Sequence, residues 1–104
     1  MKLKESQEYV VAIRYTTMEN EVCSDVNYFS SESNAVGFIE AEEEGLAEGL
    51  GILLKEFTIW GFNIKTGERI CFSRKEADED KINTYQSMKK LLTDLFKDIL
   101  NEDD

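Results

Sequence analysis

Residues 60–72 read Trp-Gly-Phe-Asn-Ile-Lys-Thr-Gly-Glu-Arg-Ile-Cys-Phe and carry the clearest structural pattern in the chain. Two alternating apolar segments flank Lys65–Glu68, and Gly67 suits the left-handed position that closes a three-residue loop with a bulge. The pattern predicts a β-hairpin whose register starts with Ile64 opposite Glu68. The facing pairs expected on the core side of the sheet are Phe62 with Ile70 and Trp60 with Phe72.

A second hairpin is predicted nearer the start of the chain. Its strands are residues 9–17 and 22–29, joined by a turn at residues 18–21. One side of each strand is apolar and the other polar, as in a half-buried antiparallel pair. With Thr17 opposite Val22, the predicted pairs are Ile13 with Val26, Val11 with Tyr28 and Arg14 with Asp25.

A helix is predicted between the two hairpins, over residues 33–49. Ser30, Ser31 or Ser33 can cap its N-terminus. Residues 52–59 either extend this helix or begin the third strand, and periodicity does not decide between them. The apolar stripe follows a spacing of three and four residues: Val36, Ile39, Leu46, Leu50, Leu53 and Phe57.

The C-terminal part of the chain predicts a second helix. Residues 74–81 are almost entirely polar and are expected to form a charged loop or a frayed first turn, although Ser73 and Glu76 have the spacing of a capping box. The apolar side of the helix contains Ile82, Tyr85, Met88, Leu91, Leu92, Leu95, Phe96, Ile99 and Leu100.

The element order is therefore β-β-α-β-β-α. We expect a single α+β domain over residues 1–104, in which a four-stranded antiparallel sheet has two helices packed on one face. Residues 1–8 and 101–104 are expected to be frayed. If the first helix is a crossover, the strand order is 2-1-3-4.

Composition excludes several classes of function. The 104 residues include 12 Lys and Arg, 22 Asp and Glu and no His, which gives a net charge of −10 at pH 7. Such a charge repels polyanions, so no direct binding to nucleic acid or to an anionic membrane is expected. The absence of His removes the Ser–His–Asp triad and His-ligated zinc.

The N-terminal residues and the two cysteines indicate the cellular compartment. No apolar segment of signal-peptide type follows the first lysines, and Arg14 interrupts the apolar run that starts at Tyr9. Cys23 and Cys71 form no C-x-x-C pair, so two reduced thiols and a cytoplasmic location are expected. A disulfide between them requires that their strands meet.

The negative charge is concentrated in one segment. Residues 15–54 contain nine acidic residues and no Lys or Arg, whereas the rest of the chain is nearly balanced. In the first helix, Glu40, Glu44 and Glu48 recur every four residues, a spacing at which like charges oppose the helix by about 0.2–0.5 kcal/mol per pair. A shallow track of small residues repeats beside them: Gly37, Ala41 and Gly45.

This acidic pattern has two interpretations. Charge runs are usually solvated faces. Alternatively, the helix is a docking surface for a basic protein, since long-range steering needs a field of one sign. Glu43 is aligned with the apolar stripe, so it either reaches the edge of the stripe or pairs with a basic group such as Arg14 or Lys55. The remaining candidate partner-binding residues are Glu32 and Glu42.

No catalytic, cofactor or metal site is predicted. Successive glutamates on one helix face diverge, whereas Ca²⁺ and Mg²⁺ need converging oxygens. No histidine is present to activate Ser24 or Ser30. The basic residues of the second hairpin lie beside Trp60, like a base-stacking platform, but the alternation assigns the aromatic side chains to the core.

The leading hypothesis is a small, non-enzymatic, acidic inhibitor that masks a basic, nucleic-acid-binding surface of a protein target such as a nuclease. In size and charge only, the chain is similar to toxin-immunity proteins and to phage-encoded inhibitors of host defence, some of which mimic nucleic acid. The alternative is an assembly protein that forms homo-oligomers, a homodimer included, through a sheet edge or the second hairpin.

Overall fold

The computed structural model describes residues 7–101. The strands are β1 (Tyr9–Thr17), β2 (Val22–Phe29), β3 (Leu54–Asn63) and β4 (Arg69–Glu76). The helices are α1 (Glu32–Gly49) and α2 (Glu79–Asn101). The α+β class and the order β-β-α-β-β-α are confirmed.

The predicted fraying falls partly outside the described residues. Residues 1–6 and 102–104 lie beyond them. Glu8 is held, because its carbonyl accepts a hydrogen bond from the Ile64 N–H (2.7 Å) and its carboxylate pairs with Lys65 (3.1 Å). Asn101 is the last residue of α2.

All four strands form one antiparallel sheet in the predicted order β2-β1-β3-β4. Since β1 pairs with both β2 and β3, the crossover through α1 leaves β3 parallel to β2 with one strand between them. β2 and β4 are the two edges of the sheet.

The core lies between α1 and one face of the sheet. Val11, Phe57 and Ile59 are fully buried there. Burial of side chains of this size stabilises the fold by about 1.5–3 kcal/mol each. The rest of the buried cluster consists of Ile13, Ala35 and Ile39.

The predicted register of the first hairpin is wrong by one residue. Thr16 rather than Thr17 lies opposite Val22, so Arg14 faces Ser24 and Asp25 faces Ile13. The turn is the cause: the Asn20 N–H donates to the Thr17 carbonyl and Asn20 has a φ of 66°, so the turn starts at Thr17, which has no facing residue on β2. A shift of one residue moves every β2 side chain to the other face.

In the second hairpin, the left-handed conformation predicted for Gly67 is confirmed, with a φ of 74°, and so is the pairing of Trp60 with Phe72. Phe62, however, lies opposite Arg69 instead of Ile70. A bulge on β4 inserts one extra residue, which places Ile70 next to Cys71 on the α1 side.

The assignment of Trp60, Phe62 and Phe72 to the core is also wrong. They lie on the face away from α1, where Phe62 and Phe72 are 38% and 49% exposed. β3 is apolar on both faces, and the buried face is the one that carries Phe57 and Ile59. Alternation alone does not distinguish the two.

The boundaries of α1 agree with the prediction of residues 33–49. Ser31 is its N-cap, and the Ser31 Oγ accepts a hydrogen bond from the Asn34 N–H at 3.2 Å. Residues 51–53 form a turn in which Gly51 has a φ of 85°, and β3 begins at Leu54. The apolar stripe is correct for Ile39, Leu46 and Leu50, while Val36 and Leu53 are exposed.

The charged segment before α2 differs from the expected loop. Residues 74–76 belong to β4, and the cap of α2 is Asp78, whose carboxylate accepts from the Lys81 N–H at 2.8 Å. The capping box from Ser73 to Glu76 is therefore wrong.

The prediction that both helices pack on one face holds for α1 only, because α2 does not pack on the sheet. Its linker is only Ala77 and Asp78, and the position where the helix leaves β4 is fixed because the Ala77 N–H is bonded to the Lys55 carbonyl at 2.8 Å. The molecule measures 65 × 33 × 17 Å, with a radius of gyration of 19.3 Å. A compact chain of this length has about 13 Å.

Candidate functional site

The predicted acidic residues are all displayed on α1. We call Glu40, Glu44 and Glu48 the acidic ridge; all three are exposed, on the side of α1 opposite the buried Ile39. Residues four apart rise about 6 Å along the helix. None of the three forms an ion pair with another residue in the range 7–101. The ridge therefore presents uncompensated carboxylates to solvent.

Two further glutamates flank the buried side of α1 and are half-buried, one toward each edge of the sheet. Glu43 lies beside β4: its Oε1 is 3.9 Å from the Lys75 Nζ, and it contributes to the raised pKa of the Cys71 thiol after the larger effect of burial. Glu43 therefore lies at the edge of the apolar stripe, which is the first of its two predicted environments. Its nearest basic group among the described residues is Lys75, at a long distance, and not Arg14 or Lys55.

Glu42 lies on the β2 side. The pKa of the Tyr15 hydroxyl is raised first by its hydrogen bond to Cys23 and by the charge of Cys23, then by burial, and further by the negative charges of Asp25 and Glu42. Glu32 is exposed in the first turn of α1, where a negative charge is favourable at the N-terminus of a helix.

Asp25 is a site residue that sequence reasoning missed. The expected register placed it opposite Arg14 on the far face, but the observed register sets it opposite Ile13, on the α1 side. Asp25 thus extends the acidic surface from α1 onto the edge strand β2. The signal that could have revealed this was Asn20, a residue type that tolerates the left-handed conformation required in the turn.

The track of small residues beside the ridge is open. A Cβ atom added at Gly37 or at Gly45 would meet no other atom within 4 Å, and Ala41 between them is exposed. The backbone of α1 is thus accessible along the ridge to a partner with long side chains.

The helix itself is not electrostatically favoured. Glu48 lies at the C-terminal end of α1, where the helix dipole disfavours an acid, and the last turn contains no basic residue. Repulsion along the ridge adds about 0.2–0.5 kcal/mol per pair. α1 is therefore held by its apolar contacts with β1 and β3.

The two cysteines lie on opposite edges of the sheet, Cys23 on β2 and Cys71 on β4. Three strand spacings separate them, about 14 Å, which exceeds the roughly 7 Å limit for the Cα atoms of a disulfide. Burial raises the pKa of the Cys71 thiol and so favours its unreactive, protonated form.

The face of the sheet away from α1 is partly open, and we call it the open sheet face. Trp60 and Phe72 pack there with ring centroids 6.2 Å apart, and the Arg69 guanidinium lies 5.8 Å from the Phe72 ring. A shallow cavity of about 450 Å³ adjoins them. It is lined by Arg14, Thr16, Glu56, Thr58, Trp60, Phe72 and Arg74.

Because the Phe72 ring on this face is half exposed, burial does not prevent a nucleic-acid base from stacking on it. Electrostatics still disfavours nucleic acid on this face, because the Arg74 guanidinium is already paired with Glu76 at 2.7 Å and with Glu56 at 3.6 Å. In the second hairpin, Lys65 is likewise paired with Glu8.

Across the described part of the chain, no three metal-ligating side chains converge. Neither helix within residues 7–101 combines the length and the apolar character needed to cross a membrane. Comparison of the chain with protein-family models, with curated proteins and with solved structures finds no match.

Proposed function

We propose that this protein is a non-enzymatic binding module that docks on a basic surface of a nucleic-acid-binding protein and so masks that surface. The observation that supports the proposal is the acidic ridge: Glu40, Glu44 and Glu48 are exposed and carry no counter-charge among the described residues. Carboxylates form strong, often bidentate hydrogen bonds with arginine.

The surroundings of the ridge support the same function. Glu42 and Asp25 extend negative charge toward β2, and Glu43 extends it toward β4, so the charge around the ridge is mainly negative, with Lys75 near Glu43 as a partial offset. A field of one sign accelerates encounter with an oppositely charged partner and repels wrong ones. An inhibitor that competes with nucleic acid benefits from both effects.

A charge-reversal variant of the acidic ridge, which we call the ridge variant, tests the proposal. We expect Glu40→Lys, Glu44→Lys and Glu48→Lys combined to lower affinity for the target by about 100-fold or more, because three charge-assisted contacts become repulsive. The matched control combines Glu21→Lys, Glu68→Lys and Glu79→Lys, which changes the net charge by the same amount at exposed positions on other elements.

Immobilised wild type, ridge variant and control variant are each incubated with cell lysate, and proteins that elute at moderate salt are identified. The proposal requires a basic nucleic-acid-binding protein that wild type and control retain and the ridge variant loses. The purified partner must then release its DNA or RNA on addition of wild type. The same proteins on all three columns would contradict the proposal.

A further inference from the structure

α2 leaves a large apolar surface uncovered. The helix has 23 residues, about 34 Å in length, and extends past the turn between β1 and β2. Seven of its large apolar side chains are 49–70% exposed. They are Met88, Leu91, Leu92, Leu95, Phe96, Ile99 and Leu100.

Within residues 7–101, the contacts that fix α2 to the body are made by its first turns. Lys81 lies over Gly51, and Glu19 pairs with Lys89 and interacts with Tyr85. A mainly apolar groove of about 630 Å³ runs along this attachment, between α2 and Ile52. The apolar and aromatic α2 side chains that line it are Tyr85, Met88, Leu92 and Phe96. We call this groove, together with Ile52, the root groove.

The uncovered surface is large enough for a stable interface. The accessible surface of the chain is 7709 Å², whereas a compact monomer of 12.0 kDa has about 6,000 Å². The difference exceeds the roughly 800 Å² that each partner buries in a standard protein interface. An unsupported helix is also unstable in water, since most helical stability comes from packing of the apolar side.

We propose that a second copy of this chain covers α2: the α2 helices of two molecules pack antiparallel, with the tip of each in the root groove of the other. Leu92 is then nearest the two-fold axis, and Ile99 of each copy lies against Tyr85 of the other. Since each end of α2 is buried by the other end, the interface is self-complementary, as a two-fold dimer requires.

Charge favours the antiparallel direction. Residues 79–90 contain three lysines and two acids, a net charge of +1. Residues 91–104 contain one lysine and five acids, a net charge of −4. An antiparallel pair places the acidic half of each chain against the basic half of the other, whereas a parallel pair would juxtapose the two acidic ends.

The width of the apolar side agrees with this arrangement. The exposed apolar residues of α2 span about half its circumference, more than the narrow stripe of a two-helix coiled coil. Ile52 and Leu53, both exposed beside the root of α2, add the extra contact area from the body. The chain's own sheet does not cover α2.

The mass in solution tests the interface. Size-exclusion chromatography with light scattering should give a dimer for the wild type and half that mass for Leu92→Asp and Leu95→Asp. Ser87→Asp adds the same charge to the polar side of α2 and should remain a dimer. The core contains no α2 residue, so unchanged near-ultraviolet circular dichroism verifies that the body of each variant is folded.

Cross-linking tests the direction. In a Cys23→Ser, Cys71→Ser background, Tyr85→Cys and Ile99→Cys chains are prepared separately and then mixed under mild oxidation. The antiparallel arrangement predicts efficient cross-linking only in the mixture. Cross-linking of the Ile99→Cys chain with itself would show a parallel pair and overturn the proposed arrangement.

Other occupants of α2 give distinct outcomes. A monomeric wild type would overturn the proposal, and its sedimentation with anionic phospholipid vesicles would assign the apolar side of α2 to a membrane surface. A dimer that both aspartate variants retain would place self-association elsewhere. The acidic ridge lies outside the interface, so the ridge variant should remain a dimer whatever its effect on target binding.

Discussion

Gly61 of β3 lies against the Ile39 side chain of α1. A Cβ atom at this position would be 2.8 Å from the Ile39 Cδ1 and 3.1 Å from the Ile70 Cγ1. Both distances are shorter than ordinary contact, and Ile39 is buried in the core and has little room to move. The absence of a side chain at Gly61 thus allows the helix to lie close to the sheet.

We expect Gly61→Val to lower the free energy of unfolding by about 1–3 kcal/mol, the usual effect of overpacking a core. Gly45→Ala is the contrasting variant. Its Cβ meets no atom within 4 Å in the middle of α1, so stability should rise by up to about 1 kcal/mol. Urea denaturation followed by Trp60 fluorescence measures both. Equal stability of Gly61→Val and wild type would show that α1 moves to accommodate the side chain.

Single residues also explain where prediction from the sequence fails. The alternation in residues 9–29 predicts two strands correctly, but the register depends on the turn, where the Thr17 hydroxyl accepts hydrogen bonds from the Glu19 and Glu21 N–H groups. The bulge at Ile70 has the same effect in the second hairpin. Each is a local backbone choice that a period of two does not encode: the turn moves every β2 side chain to the other face, and the bulge moves Ile70 to the α1 side.

At the level of the element, α1 depends on one cap. Three serines precede or begin the helix, and only the Ser31 side chain accepts a hydrogen bond from its first turn. We expect Ser31→Ala to lower the free energy of unfolding by about 1 kcal/mol, and Ser30→Ala and Ser33→Ala to have little effect. Urea denaturation of the three variants measures this. A comparable loss in all three would mean that the cap shifts among the serines.

The attachment of α2 should depend on pH. Lys89, and then the Tyr85 hydroxyl, lower the pKa of the Glu19 carboxyl. A lowered pKa in the folded state stabilises the attachment above the unfolded pKa, and this contribution is lost as the pH falls through the folded value. The raised pKa values of Lys89 and Tyr85 matter only at strongly alkaline pH.

Hydrogen exchange of residues 79–90 should therefore accelerate relative to β3 as the pH falls below the ordinary glutamate pKa of about 4.3, after correction for the intrinsic rate. Glu19→Gln should remove this dependence. Glu21→Gln, at a neighbouring exposed glutamate that forms no ion pair with a described residue, should retain it. Identical pH profiles for both variants would show that another carboxyl group controls the attachment.

The two helices differ in how far their sequence determines them. The extent of α1 and its acidic ridge could be predicted, because its apolar stripe and its charges lie on opposite sides. The helical spacing of the apolar residues in α2 is equally clear from the sequence. However, an apolar side shows only that a helix packs against something, and it does not identify the partner. The position of α2 depends on the two-residue linker at Ala77 and Asp78. The sequence does not reveal this linker, because the charged residues 74–76 give no sign that β4 extends to Glu76.

On the scale of the whole molecule, the arrangement of charge matters more than its total. Seven acidic residues lie on α1 or, as Asp25 does, on the α1 face of β2, while Arg14, Arg69 and Arg74 lie on or beside the open sheet face. A local cluster of arginine and aromatic side chains is a common nucleic-acid surface. Here it lies within a negative field and is partly neutralised by Glu56 and Glu76.

We expect that field to prevent binding of single strands. Trp60, the sole tryptophan, reports on the open sheet face directly. Titration with oligouridine at about 0.15 M salt should give no saturable change in its fluorescence up to about 100 μM, the weak end of nonspecific binding.

The ridge variant is the matched test of the cause, because its net charge is only −4. If the whole-molecule field is responsible, weak, salt-sensitive quenching should appear in that variant first. Saturable quenching of the wild type that Phe72→Ala abolishes would instead make the open sheet face a nucleic-acid site, since only base stacking on that ring could outweigh the repulsion.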